Sequence, residues 1–299
     1  MNKSLLYVFE TRPQFIILSV ACVLAATGAA YWKAGTGNIN PIYLALALVG
    51  AASAHASVNI LNDYSDYKSG LDNMTCRTPF SGGSGFLPKK LLSPKAVLFF
   101  GLATLAVTVL IGLYLVYARG WQLLLVGIPG VLLIVLYTDY ITRSPLLCLL
   151  APGLGFGPCI VLGTYFVLQG YYDYTALVLS LIPLFFVSNL LLLNQFPDAK
   201  ADRAVGRRHL LTLLTPRKNA YIYAVIIAGA YLTLAVGIYL KLLPPFTLAG
   251  LLSLPLAITT VGGVIRNSEN IPSLVPFLGR NVIVILSTML LIALGLFLS

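Results

Sequence analysis

The chain has 299 residues, of which 59% are hydrophobic and only 9% are charged. A soluble domain carries roughly a quarter charged residues, so this composition excludes an ordinary water-exposed surface and indicates a protein embedded in lipid. The formal net charge is +10, but the basic residues form no patch with interleaved aromatics, which argues against a nucleic-acid partner. We therefore predict a single membrane-embedded domain over residues 1–299, with no soluble module.

Nine apolar segments follow one another along the chain, and each is long enough to cross a bilayer as a helix. Continuously apolar segments of this length exclude the short alternating strands of a β-barrel. Several segments carry tryptophan or tyrosine near one end, as interfacial anchors do. The predicted fold is therefore an all-α polytopic membrane protein with nine transmembrane helices, at residues 14–32, 41–62, 95–117, 121–138, 146–169, 173–195, 219–240, 245–265 and 280–298.

The distribution of lysine and arginine predicts how these helices are oriented. If the N-terminus lies in the cytoplasm, 16 of the 19 basic residues fall on the cytoplasmic side and 3 on the opposite side. Cytoplasmic loops of membrane proteins carry such an excess of positive charge. The sequence thus predicts a multi-pass protein of the cell membrane with a cytoplasmic N-terminus.

The acidic residues are scarce and unevenly placed. There are 9 in the chain, and five of them lie in two short stretches, "NILNDYSDYKSGLD" at residues 59–72 and "NQFPDAKAD" at residues 194–202. The first stretch follows the second predicted helix and the second follows the sixth, so both face the predicted cytoplasmic side. Each leads into a long predicted loop, at residues 63–94 and 197–218, and long loops in compact proteins are usually functional.

Residues four apart lie on one face of a helix, so the two stretches predict stripes of polar side chains at two helix ends. One stripe holds Asn194, Asp198 and Asp202, and the other holds His55, Asn59 and Asp63 with Asn62 and Asp66 beside them. If the two helix ends face each other, several carboxylates converge at the mouth of an apolar bundle. A cation must then lie between them, because like charges repel and ions near hydrocarbon lose hydration.

Carboxylate and amide oxygens select hard cations. Mg²⁺ is the natural candidate, because proteins usually bind it through one or two carboxylates together with the phosphates of a substrate. The predicted metal ligands are Asp63, Asp66, Asp198 and Asp202, with Asp72 as a further candidate. Basic side chains beside a metal suit a bound diphosphate, and the apolar bundle behind it suits a hydrocarbon chain, so an isoprenoid diphosphate is indicated. The predicted substrate-binding residues are Asn59, Asn62, Lys68, Arg77, Asn194, Arg203 and Arg207.

Other readings of the same residues remain open at this point. The asparagines could serve as hydrogen-bonding contacts between helices, and the positive-inside rule explains basic loop residues without any ligand. His55 is as consistent with a packed core histidine as with a site residue. A cation-coupled secondary transporter is the alternative function, although transporters place coupling sites near the middle of the membrane on broken helices.

At these residues the sequence resembles the UbiA superfamily of intramembrane prenyltransferases. "NILNDYSDYKSGLD" and "NQFPDAKADRAVGRRHL" are similar to its two aspartate-rich motifs. The first is most similar to the branch that prenylates 1,4-dihydroxy-2-naphthoate in menaquinone synthesis. "YT" at positions 137–138 and "GLGFGPCIVLGTYFVLQG" at positions 153–170 match as well, and the resemblance covers essentially the whole chain.

The resemblance implies nine helices around a central cavity, dependence on Mg²⁺, and transfer of a prenyl group from an isoprenyl diphosphate to an aromatic acceptor. It adds Tyr137 to the four aspartates as a catalytic residue. The positive-inside rule, rather than the resemblance, predicts a site at the cytoplasmic face, and the sequence indicates no obligatory protein partner. Two positions depart from the pattern. Many members carry a third aspartate where this chain has Gly70, and the naphthoate enzymes commonly carry an acid where this chain has Phe156 and Gly157.

Overall fold

The structure is a computed structural model that describes residues 3–35, 39–75 and 77–299, and helices dominate this described part of the chain. Short helical segments, including the 3₁₀ turn Leu71–Asn73 and the single α-helical turn Leu210–Leu213, lie between the longer helices. In chain order the helices are α1 (Lys3–Glu10), α2 (Pro13–Ala34), α3 (Pro41–Ser69), α4 (Pro94–Arg119), α5 (Trp121–Leu136), α6 (Pro145–Gln169), α7 (Tyr174–Ala204), α8 (Pro216–Tyr239), α9 (Pro245–Asn267) and α10 (Ile271–Phe297).

Each of the nine predicted segments overlaps one of the helices α2 to α10, although α10 begins at Ile271, nine residues before its predicted start, and the predicted all-α membrane fold is confirmed. Among the described residues, eight of these helices are long and apolar enough to cross a membrane. The helix α5 is apolar but shorter than a full crossing requires. The count of nine crossings and the side of the N-terminus stay predictions.

Local sequence signals set where most of these helices begin. Proline stands in the first turn of α2, α3, α4, α6 and α8, where its missing N–H leaves no hydrogen bond unmade. The side chains of Asn40, Ser93 and Thr215 accept hydrogen bonds from the first backbone N–H groups of α3, α4 and α8. The helix boundaries therefore follow from residues next to them in sequence.

The two acidic helices run further than the sequence predicts. The helix α3 continues to Ser69 and α7 to Ala204, so the predicted loops at 63–94 and 197–218 shrink to residues 70–93 and 205–215. Three of the aspartates, Asp63, Asp66 and Asp202, are tolerated on these helix ends because each carboxylate pairs with an arginine. All four predicted aspartates, with Asp198, lie on helices rather than on loops.

The helix α6 changes its winding in the middle of its course. Residues Gly155–Leu162 are π-helical, with prolines at 152 and 158, and single π-helical turns are frequent at functional sites. The helix also lies directly on α7, because a Cβ added at Gly153 or Gly157 would fall 2.2 Å from a backbone oxygen of α7. This close contact fixes the α6–α7 wall of the cavity described below.

Candidate active site

The first acidic cluster lies at the end of α3. Asp63 and Asp66 are almost wholly buried, with 1% and 7% of their surface exposed. Gly70 ends the helix in the left-handed conformation (φ 77°), which a residue without a Cβ adopts at little cost. The chain then turns through Leu71–Asn73, and Asp72 is buried there. Burial, together with the charge of Asp63, raises the pKa of Asp72 to about 6.

The second cluster lies at the end of α7. Asp202 is buried. Asp198 lies one helical turn before it and Asn194 two turns before it, and all three side chains line the cavity described below. The Oδ1 atoms of Asn194 and Asp198 are buried without a hydrogen-bond partner among the described residues. A buried polar oxygen without a partner costs free energy, so these two atoms are open for a ligand.

One arginine joins the two clusters. The Arg207 guanidinium donates to Asp66 of the first cluster and, at 3.0 Å, to Oδ1 of Asp202 in the second. Although burial opposes a charge there, the two carboxylates raise the pKa of Arg207 further above its ordinary value. The structure therefore brings the two predicted stripes face to face, with a guanidinium cation between them.

A second arginine ties the N-terminal segment to the first cluster. Arg12, in a left-handed conformation before α2 (φ 54°), pairs with Asp63. The backbone N–H of Ser84 donates to Oδ2 of Asp63 at 2.7 Å, and the Ser84 hydroxyl donates to Oε2 of Glu10 at 2.7 Å. The sequence interpretation missed these three residues. One feature of the sequence could have drawn attention to Glu10. Acidic residues are scarce in this chain, and Glu10 is the first of them.

A buried histidine completes the second cluster and was also missed. His209 Nε2 lies 3.0 Å from Oδ2 of Asp202, and its Nδ1 is buried without a partner among the described residues. Asp202 is thus held by His209 on one oxygen and by Arg207 on the other. The residue closes the quoted second motif, but neither its type nor its spacing marked it as a site residue.

The two clusters lie at one end of a cavity of about 430 Å³, a size typical of small-molecule sites. Its walls come from one face each of α3, α4, α5, α6 and α7, with part of α2. Away from the carboxylates the lining is mostly apolar, with residues such as Leu115, Val131 and Val187. The arrangement can therefore hold a ligand with an anionic head and a hydrocarbon tail.

The loop after α3 lies directly against the carboxylates. A Cβ added at Gly83 would fall 3.2 Å from Oδ1 of Asp72 and 3.3 Å from Oδ1 of Asp63, at φ 72°. Only a residue without a side chain allows the backbone this close to the cluster. The glycine-rich "SGGSG" segment is thus part of the site, through its backbone.

Of the four predicted basic residues, the structure places one in the cavity lining and three outside it. Arg207 lines the cavity, whereas Lys68 and Arg203 are exposed and do not line it. Arg203 donates to the carbonyl oxygen of Thr212 at 2.7 Å. Arg77 also lies outside the cavity lining, and its Nε donates to the Gly82 carbonyl oxygen at 2.9 Å. The arginine that contacts the first cluster in its place is Arg12.

The remaining predicted residues line the cavity near the clusters. Asn59 donates to the Thr11 carbonyl oxygen at 3.0 Å, and Asn62 donates to Oγ1 of Thr138 at 3.1 Å. Tyr137 is next to Thr138 at the end of α5 and lines the cavity too. The two asparagines therefore hold the N-terminal segment and the end of α5 against α3. These hydrogen bonds join the helices and also bring the site residues of these segments together.

The residues present fit a hard cation. The cluster offers carboxylate and amide oxygens, the ligands that Mg²⁺ prefers, and the free oxygens of Asn194 and Asp198 belong to it. Within residues 3–35, 39–75 and 77–299, no three side chains of His, Cys, Asp or Glu are arranged to hold a metal. The described geometry instead pairs three of the four predicted aspartate ligands with arginine.

Comparisons with known proteins agree with this geometry. Curated relatives include a 1,4-dihydroxy-2-naphthoate octaprenyltransferase of Bacillus subtilis, 26% identical over 86% of this chain and 81% of the relative. Another, of Mycobacterium tuberculosis, carries the same name and is 28% identical over 91% of this chain and 90% of the relative. These enzymes are therefore similar to this chain along most of its length.

Solved structures share the fold. A digeranylgeranylglyceryl phosphate synthase structure covers 100% of both chains with a TM-score of 0.67 and 16% identity. A UbiA homologue from Archaeoglobus fulgidus, solved with GPP and Mg²⁺, covers 96% of this chain and 99% of its own, with a TM-score of 0.62 and 12% identity. Residues 21–270 of this chain match the UbiA prenyltransferase family. The match spans well over half of the sequence, and the chain, a membrane-embedded prenyltransferase, belongs to that family.

Proposed function

We propose that the protein transfers a prenyl chain from an isoprenyl diphosphate to a hydroxylated aromatic acceptor, in a Mg²⁺-dependent reaction. The observation that carries this proposal is the meeting of two aspartate-rich helix ends at the mouth of an apolar cavity. The favoured acceptor is 1,4-dihydroxy-2-naphthoate, which the names of the curated relatives specify for those relatives. Membership of a prenyltransferase family gives no support to the alternative of a cation-coupled transporter.

The acidic residues would hold the metal and the arginines the diphosphate. Asp63, Asp66, Asp198 and Asp202 would supply carboxylate ligands, with Asn194 beside them. When bound, Mg²⁺ supplies positive charge to the diphosphate of the donor. Arg12 and Arg207 are cationic and buried beside these carboxylates, so each guanidinium could also donate to a phosphate oxygen of the bound diphosphate.

The reaction then needs little covalent help from the protein. The carbon–oxygen bond of the allylic diphosphate breaks, diphosphate leaves with the bonding electrons, and the prenyl carbon takes on cation character. An electron-rich ring carbon of the acceptor attacks it to form the new carbon–carbon bond. The ring then loses either a proton or, at a carboxylated carbon, CO₂. The apolar cavity walls exclude the water that would trap the cation.

We also propose that the site faces the cytoplasm of a cell that carries the protein in its membrane. The excess of basic residues on the side of both acidic clusters supports this orientation. Single cysteines in a cysteine-free variant test it, one at Ala204 beside the site and one at Tyr171, three residues before the opposite end of α7. A membrane-impermeant thiol reagent added to intact cells should label Tyr171→Cys and leave Ala204→Cys unlabelled. The reverse labelling would overturn the proposed orientation.

Product analysis with purified protein tests the function itself. The protein, Mg²⁺, an isoprenyl diphosphate and a panel of aromatic acceptors should yield a prenylated ring, and EDTA should stop its formation. Asp63→Ala and Asp198→Ala should each reduce product below detection while the protein stays folded. Asp139→Ala is the matched control, because Asp139 is an exposed carboxylate outside the cavity lining. Full activity in EDTA, or in both site variants, would exclude the proposed mechanism.

A further inference from the structure

The proposed reaction uses the acidic end of the cavity but leaves one polar group in its apolar part unexplained. His55 lies on α3 two turns before Asp63, about 12 Å deeper along the helix. It is buried, with 8% of its surface exposed, and it lines the cavity. A polar side chain at this depth needs hydrogen-bond partners, since an unpaired buried donor costs free energy.

One nitrogen of the His55 ring has its partner in the protein. Nδ1 lies 2.8 Å from the hydroxyl oxygen of Ser19 on α2, and Ser19 is wholly buried. Among the described residues, that hydroxyl has no other hydrogen bond. Because a buried hydroxyl proton needs an acceptor, we assign Ser19 as the donor and Nδ1 as the acceptor. The proton of the neutral imidazole is then on Nε2.

The ring is also held in orientation by an aromatic contact. The His55 and Phe156 ring centroids are 4.9 Å apart, and the ring planes are perpendicular. Phe156 belongs to the π-helical part of α6 and lines the cavity. Ser19 and Phe156 thus fix both the tautomer and the direction of the imidazole before any ligand arrives.

The other nitrogen is open to the cavity. Nε2 has no partner among the described residues, and it is not one of their fully enclosed unpaired atoms. A preset N–H donor on the cavity wall suits an oxygen of a bound molecule. The prenyl chain carries no such atom, and the diphosphate is drawn to the arginines at the cavity mouth. Of the two substrates, only the aromatic acceptor has oxygens to offer at this depth.

We propose that His55 binds the aromatic acceptor by donating a hydrogen bond from Nε2 to a hydroxyl or carboxylate oxygen of its ring. Ser19 is the positioning residue that keeps the proton on Nε2. This inference rests on the proposed prenyl transfer. It identifies the ligand as a hydroxylated aromatic molecule with an oxygen at the cavity depth of His55.

Steady-state kinetics with the two substrates varied separately test the assignment. His55→Ala should raise the KM of the acceptor about tenfold or more, while the KM of the prenyl diphosphate and the Mg²⁺ requirement stay within twofold. His55→Gln, whose side-chain amide can still donate near the position of Nε2, should recover part of the loss. Ser19→Ala should also raise the acceptor KM, by a smaller factor.

Each outcome separates this inference from the proposed function. If the wild type forms no prenylated ring with any acceptor, the function is wrong. If the wild type is active and His55→Ala and His55→Gln keep the acceptor KM of the wild type, only the role of His55 is wrong. An equal rise in both KM values would assign His55 to packing and overturn its role as well. Should His55→Ala fail to fold, His55→Gln and Ser19→Ala still decide the question.

Discussion

Arg207 and Asp66 are 141 positions apart in sequence, yet their side chains form a charge-assisted hydrogen bond in a largely buried site. The pair links the end of the third helix to the segment after the seventh. In this structure the guanidinium of Arg207 lies between the two clusters and neutralises the carboxylates of Asp66 and Asp202. We therefore propose that a bound metal would compete with arginine for the same carboxylate oxygens.

Removing Arg207 should make the protein depend on metal for stability. Breaking a buried ion pair by truncating one partner costs about 3–5 kcal/mol, so Arg207→Gln should lower the Tm clearly in EDTA. Mg²⁺ should restore part of the loss, because it binds the carboxylates that the variant leaves unpaired. Lys200→Gln is the control, since Lys200 is exposed at the end of the same helix as Asp202. If Mg²⁺ raises the Tm of the wild type and of Arg207→Gln by the same amount, Arg207 and Mg²⁺ do not compete for the carboxylates.

Arg77 should act through the glycine-rich loop. Its guanidinium donates to the Gly82 carbonyl oxygen, and its Nη1 occupies space 1.9 Å from where a Cβ of Gly85 would lie. A hydrogen bond to a charged group contributes about 1.5–3 kcal/mol, so Arg77→Gln should lower kcat/KM for the prenyl diphosphate roughly tenfold or more. The acceptor KM should change little.

The Arg77→Lys variant distinguishes the loop from a direct phosphate contact. Lysine can meet a phosphate as a point charge but cannot reproduce the planar fork of arginine. We therefore expect Arg77→Lys to be impaired like Arg77→Gln. Recovery of activity in Arg77→Lys would instead support a direct contact with the diphosphate. If both variants have the kinetics of the wild type, Arg77 has no role in the reaction. Its presence is then explained by the excess of basic residues on the cytoplasmic side.

Glu10 should make the stability of the metal-free protein depend on pH. Burial, followed by the charge of Asp63, raises the pKa of Glu10 from 4.5 to about 7. The folded protein then holds this proton more tightly than the unfolded chain, so stability falls as pH rises from about 4.5 to about 7 and stays low above it. The difference between these two pKa values corresponds to a loss of at most about 3 kcal/mol in the free energy of unfolding.

Glu10→Gln removes the charge and keeps an acceptor for the Ser84 hydroxyl. In EDTA, the variant should therefore have a higher Tm than the wild type at pH 8, and the two should converge near pH 4.5. Ser84→Ala, which removes a hydrogen bond that lowers the pKa of Glu10, should extend the loss of stability to higher pH. A Tm difference between Glu10→Gln and wild type that is constant from pH 4.5 to 8 would contradict the assignment.

Gly127 should influence the length of prenyl chain that the cavity accepts. It lines the cavity on α5, and an added Cβ there would meet no protein atom within 4 Å. Gly127→Leu should therefore fill cavity space without a clash, keep activity with a ten-carbon donor, and lose about tenfold or more with a forty-carbon donor. Ile128→Leu is the control, because Ile128 is exposed outside the cavity lining. An unchanged ratio of the two donors would show that the chain runs elsewhere.

Much of this protein follows from its sequence alone. Sparse charge and long apolar segments require a helical membrane protein, because a lipid-exposed backbone must satisfy its own hydrogen bonds. Clustering of the few aspartates at helix spacing predicted a metal site, which stays a prediction, and with the motif resemblance it predicted the prenyltransferase family, which is confirmed. Asp63 and Asp66 share one helix face, as do Asp198 and Asp202, because residues three or four apart lie on the same side wherever the helix is placed.

What only the tertiary structure decided is which distant side chains complete the site. Arg12, Glu10 and Ser84 reach the first cluster from the N-terminal segment and a loop, and His209 turns back onto Asp202. Lys68 and Arg203 have the right charge and lie near the motifs in sequence, yet they are exposed. Local periodicity determines the face of a helix but not its neighbour. The partners of buried charges are therefore chosen by packing, where desolvation makes each unpaired carboxylate costly.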